Sequence, residues 1–242
     1  MVCASIEEQE GLVLASALAR RMPSTMSVTQ AVMLVALAAA VDVLGGWTAG
    51  LLKVPVFLDT VGTFVAAAIL GPWWGAAAGV ANNVVSALFN GPSSIPFGIV
   101  SIAVALVWGY GLRSLSLGRN AITLLGLNLV VALVAAFVSA PIVYLVFGGA
   151  TGHPSDALTF AFEVAGKSLA AAVLVSNLVL NAADKLITGY IGLAVVRALP
   201  DQYTVGLRLP GVSRAGIVAV AAVGVGLGVA LTLVFLALPS GS

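Results

Sequence analysis

Between Ala121 and Phe147 the chain carries no charged residue, and the same is true from Ala215 to Leu238. A helix needs about 20 mainly apolar residues to cross the hydrocarbon of a bilayer. Inside lipid every backbone N–H and C=O must be bonded within the chain, so such runs fold as helices. The period-two alternation that a barrel requires is missing. Composition extends the argument to the whole chain: 61% of its 242 residues are hydrophobic and 8% are charged, against roughly 25% charged in soluble domains. A soluble protein so apolar has too few polar groups to cover its surface. The expected fold is all-α, a polytopic membrane helical bundle with about six or seven crossings.

The expected spans are Ser27–Gly46, Val56–Leu70, Trp73–Phe89, Phe97–Leu112, Ala121–Phe147 and Ala215–Leu238. Gly71-Pro72 ends the second and Asn90-Gly91-Pro92 ends the third. The stretch Asp156–Leu199 is about twice as long as one crossing needs. It reads as an outer-surface or partly inserted helix followed by one crossing, from Asn177 to Ala198. The chain divides into a cytoplasmic leader (1–26), a membrane domain (27–200), a cytoplasmic linker (201–214), and an extra C-terminal helix and tail (215–242). The leader is not a signal peptide, because three glutamates precede Arg20 and Arg21.

Orientation follows from the cations. With the N-terminus in the cytoplasm, all seven arginines (20, 21, 113, 119, 197, 208 and 214) fall inside. The three lysines, Lys53, Lys167 and Lys185, fall on or toward the other side. That asymmetry is the positive-inside pattern; the expected location is the plasma membrane, as a multi-pass protein. Trp73, Trp74, Trp108 and Tyr110 then form an inner aromatic belt. The outer side owns the segments Trp47–Phe57, Asn90–Pro96 and Gly148–Asp156.

Ionisable and amide groups inside apolar runs are costly and mark function by default. Asp42 either binds a cation or substrate group, or sits near the outer headgroups. Asp59, Thr60 and Thr63 open the second span, where a carboxylate or hydroxyl caps free N–H groups or binds a ligand. Asn82, Ser86 and Asn90 recur every four residues on one helix face. They either bond neighbouring helices or line an outward cavity. Glu163 and Lys167 have the spacing of a helical ion pair, with a ligand role as the alternative. Asn177, Asn181 and Lys185 repeat every four residues, with Asp184 alongside. Adjacent residues point about 100° apart on a helix, so Asp184 and Lys185 pair imperfectly and each should have another partner. This cluster is the strongest candidate site.

Other chemistries lack their residues. Gly166-Lys167-Ser168 looks like the end of a phosphate-binding loop, but position 161 is Ala where the motif needs glycine. His153 is the only histidine and Cys3 the only cysteine, so no multi-His or Cys-cluster metal site and no internal disulfide can form. No cofactor motif is present. A net charge of +1 offers no basic field for nucleic acid. Gly224 and Gly228 form a GxxxG pair in the last span, a candidate helix-packing face.

The run FLDTVGTFVAAAILGPWWGAAAGVANNVVSALFNGPSSIPFGIVSIAVALVWGYGLR (57–113) resembles the substrate-binding S components of energy-coupling factor (ECF) vitamin transporters. The resembling features are the polar start of the second span, the Gly-Pro-aromatic turn at 71–75, the Asn-bearing third helix and the Pro-containing loop after it. NAADKLITGYIGLAVVRALP (181–200) is similar to the family's final helix. The resemblance implies a six-helix bundle that captures a vitamin or related small molecule at the outer face, without being an enzyme itself. It implies pocket-covering loops at Trp47–Phe57 and Asn90–Pro96. It also implies docking of a transmembrane T component, coupled to two cytoplasmic ATPases, on small residues spaced like Ala36 and Ala40. The last span is additional to six helices. The candidate binding residues, read from their own chemistry and spacing, are Asp59, Thr63, Ser86, Asn90, Glu163, Lys167, Asn177, Asn181, Asp184 and Lys185. The carboxylates favour a substrate with positive or donor groups, such as a thiamine precursor or a pyridoxine-like compound. Two alternatives remain open: a solitary small-molecule transporter or receptor on the same fold, and a membrane-embedded enzyme acting on a lipid-like substrate.

Overall fold

A reciprocal cap starts the first helix: Ser27 Oγ accepts the Gln30 N–H and Gln30 Oε1 accepts the Ser27 N–H, satisfying two donors that a helix start leaves free. From there α1 runs over Val28–Leu51. The computed structural model describes residues 26–53, 56–211 and 222. The leader up to residue 25, with Arg20 and Arg21, lies outside the described residues. So do Arg214, the Gly224–Gly228 pair and, apart from Ala222, the expected last span.

Seven further helices follow among the described residues. They are α2 (Val61–Ile69), α3 (Pro72–Asn90), α4 (Gly98–Arg113), α5 (Ala121–Leu145), α6 (Asp156–Val164), α7 (Leu169–Ala198) and the single turn α8 (Asp201–Thr204). A 3₁₀ segment, Pro92–Phe97, leads into α4. Pro72 sits in the first turn of α3, where its missing N–H costs nothing. Asn120 Oδ1 caps α5 by accepting the Thr123 N–H at 2.8 Å. No strand occurs among the described residues.

Four helical segments are long and apolar enough to cross a membrane: Val28–Leu51, Pro92–Arg113, Ala121–Leu145 and Leu169–Ala198. Their outward faces carry Met33, Leu37, Ile99, Ile122 and Phe137, all exposed. So large an apolar surface belongs in lipid. The chain is an all-helical membrane protein.

The expected second span differs from this plan. Residues 56–60 are not helical, and α2 has only nine residues. At 1.5 Å per residue it is about 14 Å long, roughly half the hydrocarbon thickness. It is a half-helix held inside the bundle against α1, α3, α4 and α7. Helix α3 has 19 residues but is the more polar for its asparagines. The crossing expected from Asn177 begins earlier, because α7 is a continuous 30-residue helix from Leu169. Trp47 belongs to α1 and not to a loop, since α1 continues to Leu51.

The core forms around α2. Phe64 meets Trp108 edge to face at 5.3 Å, and Tyr190, Leu193, Leu124 and Val131 close around them. Trp108 is therefore not in an aromatic belt: it is fully buried, and its Nε1–H donates to Asn128 Oδ1 at 2.9 Å. Arg113 Nη1 donates to the carbonyls of Ala68 and Ile69, each at 2.8 Å, and so serves the last turn of α2.

Gly62 lets α2 approach α1, because a Cβ there would run into the backbone of Ala38. Gly62→Ala must part the two helices. We expect it to lower stability by about 1–3 kcal/mol, read as a lower melting temperature in detergent; an unchanged melting temperature would contradict this packing.

Candidate functional site

A helix that starts inside a membrane bundle has a problem at its N-terminus. Its first N–H groups have no partner in the helix, and no water reaches them. Thr60, at the N-cap of α2, makes no side-chain cap bond. Asp42 supplies the acceptors for this first turn, and Asp184 serves the extended segment before it. Asp42 of α1 takes the N–H groups of Gly62 at 2.6 Å and Thr63 at 2.9 Å, and the Thr63 hydroxyl at 2.7 Å. Asp184 of α7 takes the N–H groups of Phe57 at 3.0 Å and Leu58 at 2.8 Å.

These bonds revise the sequence reading at three residues. Asp42 is completely buried, not near the headgroups, and it caps α2 in place of Asp59. Thr63 is bound to Asp42 and does not line the cavity described below. Asp184 turns toward the 57–58 backbone and is likewise absent from the cavity wall. Asp184 and Lys185 do pair directly, Nζ to Oδ2 at 2.6 Å, because the long lysine chain curls back to its neighbour. Each has the expected second partner too: Lys185 Nζ also donates to Thr60 Oγ1 at 3.0 Å. Gly45 gives the 56–60 segment room over α1, since a Cβ there would meet the Leu58 carbonyl.

Beneath this segment lies a cavity of about 990 Å³. It sits at the end of the bundle where α1, α3 and α5 finish and α4 and α7 begin. Arg113, Arg119 and Arg197 belong to the opposite end. Pockets for small organic ligands measure roughly 300–1,000 Å³. Trp47, Asp59, Ser86, Asn177, Asn181 and Lys185 line it. The four-residue spacing on α7 therefore does place Asn177, Asn181 and Lys185 on one wall. On α3, Asn82 accepts from Ser86 Oγ at 3.2 Å and donates to the Asp59 carbonyl at 3.1 Å. The side chain of Asn90 lies outside the described atoms.

Glu163 and Lys167 do not share a helix. α6 ends at Val164, and Gly166 between them adopts φ 82°, a left-handed turn. Glu163 is exposed, and neither residue lines the cavity. Ala36 and Ala40 are on the exposed face of α1.

Sequence reasoning passed over the Gly148–Ser155 loop as a contributor. Asp156 Oδ2 accepts the N–H groups of Thr151 and Gly152, both at 2.7 Å, and this folds the loop over the cavity. His153 then stacks on Phe57, centroids 5.0 Å apart, joining the two covering segments. The only signal for it was a histidine beside a proline in a polar loop. His153 Nδ1 accepts the Ser155 N–H at 3.2 Å and meets Ser155 Oγ at 2.9 Å. A backbone N–H can only donate, so the neutral ring carries its proton on Nε2. Ser101 and Ser139 were also missed; they bond Asn83 and Asn177, each at 2.7 Å.

Burial pushes the His153 imidazole below its ordinary pKa, with Asp156 and Asp184 acting in the opposite sense. Protonation would also end the bond from the Ser155 N–H. Between the folded value and the ordinary one near about 6.5, the unfolded chain holds more protons. Stability therefore falls as pH drops through that window and levels off below the folded value. We expect the melting temperature to decline from pH 7.5 toward pH 5, with this part of the slope lost in His153→Asn, whose Oδ1 can replace Nδ1. An identical slope in the variant would contradict the assignment.

No family model, no curated protein and no solved structure matches this chain.

Proposed function

We propose that this chain is the substrate-specific membrane subunit of an ECF-type uptake system, capturing a vitamin-sized molecule in the cavity from the outer face. The observation that carries the reading is the cavity of about 990 Å³, walled by amides, hydroxyls and charges in an otherwise apolar bundle. Two covering segments, 56–60 and 148–155, are tied to each other and to α7 through the Phe57–His153 stack and Asp184. Such a container suits holding a solute and later releasing it. The arginine end, by the positive-inside pattern, is the cytoplasmic one, which turns the cavity outward with the N-terminus inside.

The resemblance of 57–113 to S components supports the coupling. Under this reading a T component docks on the exposed Ala36 and Ala40 face of α1, and two cytoplasmic ATPases supply the energy. Affinity purification of the chain from its own membranes tests this: a T component and two ATPases should come with it. A chain that purifies alone yet drives uptake of its ligand would instead be a solitary transporter on the same bundle.

A further inference from the structure

Three side chains on one part of the cavity wall present acceptors that no neighbouring residue fills. Asn83 Nδ2 gives its hydrogens to the Gly79 carbonyl at 2.8 Å and to Ser101 Oγ at 2.7 Å. A carbonyl only accepts, so this bond sets which way the amide faces and leaves Oδ1 without a donor. Asn181 is set in the same way by its bond from Nδ2 to the Asn177 carbonyl at 2.9 Å. These side chains are 5% and 3% exposed, and both line the cavity. Neither oxygen is sealed in protein: the buried side-chain atoms without a partner among the described residues are Trp74 Nε1 and Asn128 Nδ2. Asp59 adds a whole carboxylate. It faces the cavity, and no other described residue donates a hydrogen bond to it; its backbone carbonyl accepts from Asn82.

The three groups belong together. Asn181 stands one turn before Lys185, Lys185 bonds Thr60 beside Asp59, and Asp59 bonds Asn82 beside Asn83. Beside these acceptors stand the third hydrogen of Lys185 and the Nε2–H of His153, and Lys53, Trp47, Ser93 and Ser94 bring further donors to the wall. Charge at this part of the wall leans the same way, because Asp59 and Asp184 both flank the Lys185 ammonium. Once an occupant displaces solvent, acceptors left without donors are costly, so an occupant that brings donors to these three groups is favoured. Above them Phe57 and His153 form a stacked aromatic shelf, with Trp47 and Phe97 also on the wall. Aromatic faces attract both flat rings and cations.

Resting on the capture reading, the geometry points to a substrate that is a cation rich in N–H donors and carried on a flat ring, a protonated aminoheterocycle or an aromatic amidinium. Its head meets Asp59, Asn83 and Asn181, and its ring lies against the Phe57–His153 shelf. An anionic head placed against these three groups would meet bare carboxylate and carbonyl oxygens.

Isothermal titration of the full chain in detergent with benzamidine and with benzoate tests the class. The two probes share a ring and differ in charge and in donors. Benzamidine should bind at least tenfold tighter than benzoate, and Asp59→Asn should remove at least tenfold of its affinity. Asp59→Asn keeps the size of the side chain but removes one of the charges beside Lys185, so a melting curve is recorded with each titration. If it fails to fold, the comparison of the two probes on the parent still decides. Benzoate binding as tightly as benzamidine would overturn the substrate class and leave the capture reading standing. Neither probe binding, while a small molecule is retained through purification, would do the same. Neither probe binding and no molecule retained would overturn both.

Discussion

Asp42→Ala is expected to cost on the order of 4 kcal/mol of stability, the sum of several buried donors losing their only acceptor. The N–H groups of Gly62 and Thr63 and the Thr63 hydroxyl all end on this carboxylate. No water stands ready to replace it, since Asp42 is completely buried. Asp42→Asn keeps one oxygen but turns an NH₂ toward donors, so it should fall between parent and Ala. The measurement is chemical or thermal unfolding in detergent. Asp42 is not on the cavity wall, so the folded fraction of either variant should bind ligand normally. A loss of binding without a loss of stability would make Asp42 a ligand-contacting residue and break this account.

Asp184→Ala should have the second large effect, for two reasons that can be separated. It strands the buried Lys185 ammonium, and removing one member of a buried ion pair costs about 3–5 kcal/mol. It also releases the N–H groups of Phe57 and Leu58, and with them the segment that covers the cavity. Hydrogen exchange at those two amides reads the second effect directly, and protection there should collapse. The double variant Asp184→Asn with Lys185→Met removes both charges yet keeps an acceptor for the two amides. It should regain most of the stability and most of the protection. If the double variant exchanges as fast as Asp184→Ala, the carboxylate is not what holds the segment.

These two residues show where the sequence was legible and where it was not. The spacing of Asn177, Asn181 and Lys185 identified one wall of the cavity, because a helix face follows from a period of 3.6. The same logic located Asn82 and Ser86. It could not assign Asp42 and Asp184, because their partners are backbone N–H groups 20 and 126 residues away along the chain. A backbone donor leaves no mark in a sequence. For the same reason the break at 56–60 was hidden: FLDT reads as a cap on a full span, and only the distant acceptors make a half-helix affordable there. Glu163 and Lys167 had correct spacing but the wrong continuity, since Gly166 turns the chain between them. His153 carried no pattern at all, and its place follows from the bonds of Asp156.

The exposed faces were the easiest part. The charge-free run Ala121–Phe147 folds as the helix that lipid demands, ending at Leu145.

The central claim is that the cavity between α1, α3, α5 and α7 holds a small molecule. Native mass spectrometry of the chain, purified gently in detergent, tests it most directly. The account predicts a retained mass of vitamin size in the parent, lost from Asp59→Asn and kept by Glu163→Gln, which alters an exposed carboxylate away from the cavity. A parent that carries only lipid, or a retained molecule indifferent to Asp59, would contradict it.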